Sequence, residues 1–261
     1  EYFTTDPYSI SVSVDKSTDA IDEIETEEND TIITADTLEI GSAIKGQLGN
    51  SDDIDYFKFN ITQASTFGLV FDAPTNSSNN NYFTASILDA SGNFLSSHQF
   101  GSDKVFSTAL ASAGTYYVQV SSSYLYDDGQ YSLLGSLTSG TGSHEIEIND
   151  ARTTANNLSS GQRLEGQLWW TSDIDYYRVS IDGPSAISVD FDAPTNSSYY
   201  DYFTVSLLDA SGSVLASNMT GKDITFEAGV DTAGDYFLLV EDAEYFTTDP
   251  YSISVSVDKS T

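Results

Sequence analysis

Apolar and polar residues alternate with a period of two along much of the chain. Phe57, Phe59 and Ile61 alternate with Tyr56, Lys58 and Asn60, and the same rhythm returns through Phe67, Leu69 and Phe71, through Phe83, Ala85 and Ile87, and through Tyr116, Val118 and Val120. Successive side chains of a strand point to opposite faces, so each run predicts a strand with one buried face. No stretch carries the 3.6-residue rhythm of an amphipathic helix. Asp89-Ala90-Ser91-Gly92 predicts a hairpin turn, and Ala113-Gly114-Thr115 punctuates the chain before another run, because glycine reaches the backbone conformations that tight turns require. About eight short strands in each of two units predict an all-β chain of two tandem antiparallel β-sandwiches with jelly-roll or Greek-key connections.

The pattern repeats on two scales. Residues 1–18, EYFTTDPYSISVSVDKST, recur letter for letter at 244–261, a period of 243. Inside that period, FDAPTNSS at 71–78 returns at 191–198 and LDASG at 88–92 returns at 208–212, both displaced by 120. The expected organisation is therefore the last strand of a preceding repeat at 1–18, one sandwich at 19–138 and a sister sandwich at 139–261. Tyr8, Ile10, Val12 and Val14 alternate as Tyr251, Ile253, Val255 and Val257 do. The first copy lacks a sandwich of its own, so it is expected to pack on a neighbouring molecule or to exchange with its twin in one. Near-identical copies suit an extender or a multivalent surface better than a catalyst, so neighbouring repeats of the same chain are the first expected partners.

Charge narrows the partners further. Nine Lys and Arg stand against 40 Asp and Glu, a formal net charge of −31, which excludes nucleic acid and disfavours anionic membrane surfaces. No apolar run is long enough for membrane insertion. The absence of cysteine excludes disulfides, thiolate metal sites and cysteine nucleophiles. Such self-repulsion calls for bound cations or a saline medium.

The acidic residues are not evenly spread. Glu145-Ile146-Glu147-Ile148-Asn149-Asp150 is matched by Glu25-Thr26-Glu27-Glu28-Asn29-Asp30, and 23 residues beyond each final Asp comes a second group, Asp173-Ile174-Asp175 or Asp53-Ile54-Asp55. Alternation places both Glu and the Asn on one face of an extended segment. Five carboxylates and one amide oxygen suit Ca²⁺, which takes six to eight oxygen ligands, and the lack of nearby His or Cys disfavours zinc and copper. On charge pattern alone, a solvated acidic surface explains the same residues. His98 and His144 have no counterparts in the sister unit, where Asn218 and Ile24 stand. No Gly-x-Ser-x-Gly elbow or glycine-rich phosphate loop occurs, so no enzyme is expected. Paired carboxylates alone would admit a glycosidase, but their repetition at equivalent positions favours metal sites.

The order of motifs resembles the bacterial pre-peptidase C-terminal domain family. The residues that carry the resemblance are Glu-x-Glu-x-Asn-Asp, Gly46-Gln47-Leu48, Asp53-Ile54-Asp55-Tyr56-Phe57, Leu88-Asp89 with Gly92, Ala113-Gly114-Thr115-Tyr116-Tyr117 and Tyr131-Ser132-Leu133, with a second set 120 residues on. The resemblance implies a sandwich of secreted proteins in which calcium pins the N-terminal linker to the sheets. It implies Glu25, Glu27, Asn29, Asp30, Asp53 and Asp55 as ligands in one domain, and Glu145, Glu147, Asn149, Asp150, Asp173 and Asp175 in the other. Glu28 stands where the second domain has Ile148, which makes the first linker less amphipathic. The number of ions per domain stays open.

Loops differ between the sisters. Trp169-Trp170 replaces Gly49-Asn50, and Tyr199-Tyr200-Asp201 replaces Asn79-Asn80-Asn81. These aromatics either pack against a neighbouring domain or bind a glycan or matrix protein. The expected function is a calcium-binding repeat module of a large bacterial adhesin on the cell surface, serving as a stiffened spacer or a weak multivalent contact. The alternative is a substrate-targeting appendage of a secreted hydrolase.

Overall fold

The computed structural model describes residues 23–74, 81–194 and 199–259. The segment 1–18, with its expected strand exchange, lies outside them. The described residues form strands and loops without a helix, in two sandwiches of two sheets each.

The first sandwich runs β1 (Glu23–Ile24), β2 (Asp36–Thr37), β3 (Ala43–Gly46), β4 (Ile54–Ile61), β5 (Ser65–Asp72), β6 (Phe83–Leu88), β7 (Phe94–Phe100), β8 (Lys104–Leu110), β9 (Gly114–Ser122) and β10 (Tyr131–Ser139). One sheet has the order β1-β3-β10-β5-β8 and the other β2-β4-β9-β6-β7. From β3 onward each strand crosses to the opposite sheet except at the hairpin β6–β7, so both sheets are interleaved in sequence. The second sandwich repeats the plan with β11 (Asn156–Asn157), β12 (Arg163–Gly166), β13 (Ile174–Ile181), β14 (Ser185–Asp192), β15 (Phe203–Leu208), β16 (Val214–Thr220), β17 (Ile224–Val230), β18 (Gly234–Asp242) and β19 (Tyr251–Lys259). Its sheets run β12-β19-β14-β17 and β11-β13-β18-β15-β16, and a bridge from His144 to Glu165 stands where β1 pairs with β3. The described strands number ten and nine rather than about eight. The surplus comes from β1, β2 and β11, two-residue pairings too short to leave an alternating pattern.

The alternating positions close the cores. Phe57, Phe59, Phe67, Phe71 and Phe83 are fully buried, and the Phe71 ring lies 5.1 Å from Tyr131 and 5.0 Å from Phe83. The second core is more aliphatic, with Val179 and Ile187 where Phe59 stacks on Phe67 at 4.1 Å. The expected hairpin turns form: Gly92 has φ of 82°, and the Asp89 carboxylate accepts the backbone N–H of Ser91 and of Asn93 at 2.7 and 2.9 Å. Asp209 does the same below Gly212.

Replacing Phe71 by Ala removes a ring packed on three aromatic neighbours and is expected to cost about 3–5 kcal/mol. Val105→Ala, on a side chain 69% exposed, is expected to change stability by less than about 0.5 kcal/mol. Urea unfolding of both variants measures the contrast.

Candidate metal centres

The linker that enters each sandwich is fastened before any cation is considered. In the second domain, the Ile146 N–H donates to Asn156 Oδ1 at 2.9 Å, and Tyr176 N–H donates to the Asn149 carbonyl at 3.2 Å. In the first domain, Thr26 N–H donates to Asp36 Oδ2 at 2.6 Å, and Tyr56 N–H donates to the Asn29 carbonyl at 3.1 Å. The extended linker therefore lies against the start of β4 or β13, where the second acidic group sits.

This brings all twelve expected ligands into two clusters. Glu145, Glu147 and Asp175 each place a carboxylate oxygen within 4.8 Å of the others, and so do Glu147, Asp150 and Asp173. The first domain repeats the arrangement with Glu25, Glu27 and Asp55, and with Glu27, Asp30 and Asp53. Glu147 and Glu27 belong to both groups of their domain, so each sandwich carries two adjoining triads with a shared carboxylate. Asn149 and Asn29 are fully buried beside them, their amides donating to Glu145 Oε2 at 3.2 Å and to Glu25 Oε2 at 3.4 Å.

Those amide donations leave the Asn oxygens without a partner. Among the described residues seven buried side-chain oxygens lack a hydrogen-bond partner, and six of them belong to this ligand set: Asn29 Oδ1, Asp55 Oδ1, Glu147 Oε1, Asn149 Oδ1, Asp173 Oδ1 and Asp175 Oδ1. Buried oxygen acceptors without partners are rare because desolvation costs about 1–3 kcal/mol each, and more when charged. A hard cation satisfies several at once, so the donor set fits Ca²⁺.

Electrostatics agrees. Burial, reinforced by neighbouring carboxylates, pushes Glu25 and Glu145 up to about 8 and Asp55 and Asp173 up to about 7. The same causes hold Glu147 and Asp175 well above the usual carboxylate range. Two ionised carboxylates under 4.8 Å apart repel by roughly 3–4 kcal/mol at an effective dielectric constant near 20.

Tyrosine hydroxyls, Gly46, Gly166 and two glutamines complete the sites, although the sequence marked none of them as a functional residue. Tyr251 Oη donates to Asp175 Oδ2 at 2.5 Å, Tyr177 Oη donates to Glu145 Oε2 at 2.6 Å, and Tyr131 Oη donates to Asp55. Phe57 stands in place of Tyr177 in the first domain, where Tyr131 Oη is 3.5 Å from Glu25 Oε2 instead. A Cβ on Gly46 or Gly166 would collide with these tyrosines, which explains the Gly-x-Leu motif. Gln167 N–H donates to Glu145 Oε1 at 2.5 Å.

The second centre is the more enclosed because it faces the junction with the first sandwich. Glu145 and Asp173 are buried, whereas Glu25 and Asp53 are partly exposed. A cavity of about 130 Å³ lies between Glu145, Glu147 and Gln167 on one side and Leu95, His98 and Phe106 on the other. The Gln167 side chain spans it. Its Nε2 donates to the Ser97 carbonyl at 3.0 Å and to the Thr248 carbonyl, and its Oε1 accepts Ser97 N–H at 3.3 Å. His98 is buried against Phe106, and burial pulls its imidazole down to about 3, so it stays neutral.

Of the four aromatic candidates, Trp169 stacks on Phe94 of the first sandwich, centroids 5.1 Å apart and planes 18° from parallel. Trp170 is 55% exposed. Tyr199 is 90% exposed, and Tyr200 meets Tyr245 edge-on at 4.7 Å.

No family model matches the chain, and no curated protein does. Among solved structures, the chain is similar to the pre-peptidase C-terminal domain of a collagenase from Bacillus anthracis, with 24% identity over 39% of this chain and 93% of that one and a TM-score of 0.31. It is similar to the CUB1-EGF-CUB2 fragment of human MASP-1/3, with 8% identity over 82% and 99% and a TM-score of 0.26. The N-terminal tandem of CBM22 domains from Paenibacillus barcinonensis gives 13% identity over 78% and 82% and a TM-score of 0.28. Likeness at these levels carries neither family membership nor function.

The pH dependence of the metal-free chain follows from the raised carboxylates. Their unfolded counterparts ionise near 4, so the stability that protonation supplies is complete below about pH 4 and is lost as pH rises through 7 to 8. In chelator, the melting temperature contributed by these sites is expected to fall between pH 5.5 and pH 8.5. Saturating calcium is expected to remove or reverse that fall. Scanning calorimetry across the range checks it.

Proposed function

We propose that this chain is a calcium-binding repeat module of a large bacterial extracellular adhesin, in which bound calcium stiffens the connection between consecutive sandwiches. The observation that carries the reading is the set of six buried, partnerless oxygens on residues the sequence marks as ligands, all at the point where a linker enters a sandwich. Glu25, Glu27 and Asn29, or Glu145, Glu147 and Asn149, come from the linker, and Asp53 and Asp55, or Asp173 and Asp175, come from the sandwich. A cation held by both groups ties one to the other. Calcium supplies the charge that cancels the repulsion of the clustered carboxylates.

The linker of the second domain leaves β10 at Ser139 and reaches Glu145 within six residues. Fixing Glu145 and Glu147 to Asp173 and Asp175 therefore fixes the second sandwich relative to the first. At free calcium about a thousandfold above Kd, each bound site adds about 4 kcal/mol. The two triads sharing one carboxylate support two ions per domain. Secretion, the cell surface and a non-catalytic role rest on the repeat architecture and the acidic surface.

A weak adhesive contact is the second reading, favoured by Tyr199, Tyr200 and Tyr245 on one exposed rim. It would equally serve a substrate-targeting appendage of a secreted hydrolase that binds carbohydrate or a matrix protein. Under this reading, binding to a glycan or matrix-protein array is expected, and Tyr200→Ala is expected to abolish it without shifting the melting temperature.

Small-angle scattering with and without calcium tests the spacer reading. An extended profile with one sharp maximum dimension in calcium, broadening in chelator while both sandwiches stay folded, is the expected result. A profile unchanged by chelator contradicts it.

A further inference from the structure

The junction within the chain has a matching half-junction at each end. In the described junction, Gln167 caps the backbone of Ser97, whose strand β7 lies at the edge of its sheet. Ser97 pairs with Ser86, and in the sister domain Ser217 of edge strand β16 pairs with Ser206 in the same register. Ser217 therefore turns its backbone N–H and C=O outward as Ser97 does. Gln47 repeats the other half. Its Nε2 donates to the Asp128 carbonyl at 2.5 Å, as Gln167 does to Thr248, yet its side chain is exposed whereas Gln167 is buried.

The apolar surroundings tell the same story. Leu95 on β7 is 8% exposed beneath the second domain, whereas its counterpart Leu215 is 41% and the neighbouring Met219 is 52% exposed. The first metal linker is likewise open, with Ile24 63% exposed.

We propose that the β16–β17 face of the second sandwich seats the metal linker of the first sandwich of another copy, so that successive repeats stack head to tail through the junction already present inside the chain. The occupant is a second copy of this chain's first domain, engaging by Gln47 on Ser217. A contact between two different faces does not close on itself and continues from copy to copy.

Side-chain exchanges at the two junctions are mutually compensated. His144 and Lys104, which line the internal cavity from opposite domains, become Ile24 and Ile224. Glu165 and Ser107, which also line it, become Lys45 and Glu227, a pair of opposite charge. The large pair Trp169 and Phe94 becomes the small pair Gly49 and Val214. The connection is long enough. Residues 1–18 repeat the sequence that ends the second sandwich, and Tyr8 precedes Glu25 by 17 residues, where Tyr131 precedes Glu145 by 14.

The inference rests on the array reading above but not on the identity of the cation. Its test joins two copies of the chain in the register of the 243-residue repeat. The chain contains no cysteine, so two spin labels can be placed uniquely, at Ser211→Cys in the first copy and Ile33→Cys in the second. The equivalent pair Ser91→Cys and Thr153→Cys in a single chain reports the internal junction. In calcium, electron–electron distance measurements are expected to give the tandem pair the same mean and width as the single-chain pair. Gln47→Ala in the second copy with Leu215→Asp in the first is expected to broaden the tandem distribution alone. A tandem distribution that is broad or displaced beside a narrow single-chain one overturns the proposal, as does a broad single-chain distribution, which removes its template. Repeating the single-chain measurement in chelator reads the calcium-stiffening proposal separately.

Discussion

Like-charge repulsion inside a partly dehydrated pocket is the constraint on which the architecture turns. Each linker presses two glutamates and an asparagine against two aspartates at the start of a sheet, with tyrosine hydroxyls below and a glycine whose missing Cβ makes room. Protein groups alone satisfy only part of this set, as the partnerless oxygens of Asn149, Asp173 and Asp175 show. Such an arrangement persists either protonated or around a cation, and only the second keeps its charge at neutral pH. The acidic cluster thereby answers to pH and to cations, while the sandwiches depend on their own aromatic and aliphatic cores.

Position links the acidic cluster of the second domain to the contact between the two sandwiches. The loop after β12, whose Gln167 N–H holds Glu145 of the acidic linker, is also the surface that meets the first domain, through Gln167 on Ser97 and Trp169 on Phe94. The Gln167 N–H is held by Glu145 while its side chain caps an edge strand, and capping that strand covers an exposed hydrogen-bonding edge. Glu145 and Asp173 are accordingly more buried than Glu25 and Asp53.

Much of this was legible in the sequence, and the parts that were not have physical reasons. Period-two alternation marked β4, β5, β6 and β9 because alternate side chains of each enter the core, and the Asp-x-x-Gly turns were visible because φ above zero favours glycine. The clustering of the acidic residues was legible through their repetition 120 residues apart, which random surface charge would not keep in register. β1, β2 and β11 were illegible because two-residue pairings have no period. The roles of Gln47 and Gln167 were hidden as well, since an amide that caps a neighbouring strand looks like any surface glutamine until the neighbour is in place. The aromatics at Trp169 and Trp170 could be read two ways from sequence, and only the stacking partner Phe94 distinguishes the first from the second.

Calorimetric titration of calcium into chelator-treated chain decides whether the clustered carboxylates hold metal. Saturable binding of two ions per sandwich is expected at neutral pH, with Asp175→Asn removing binding at the second sandwich while leaving the first. Absence of binding at millimolar calcium would contradict it, and would leave the clustered carboxylates as protonated or solvated surface groups.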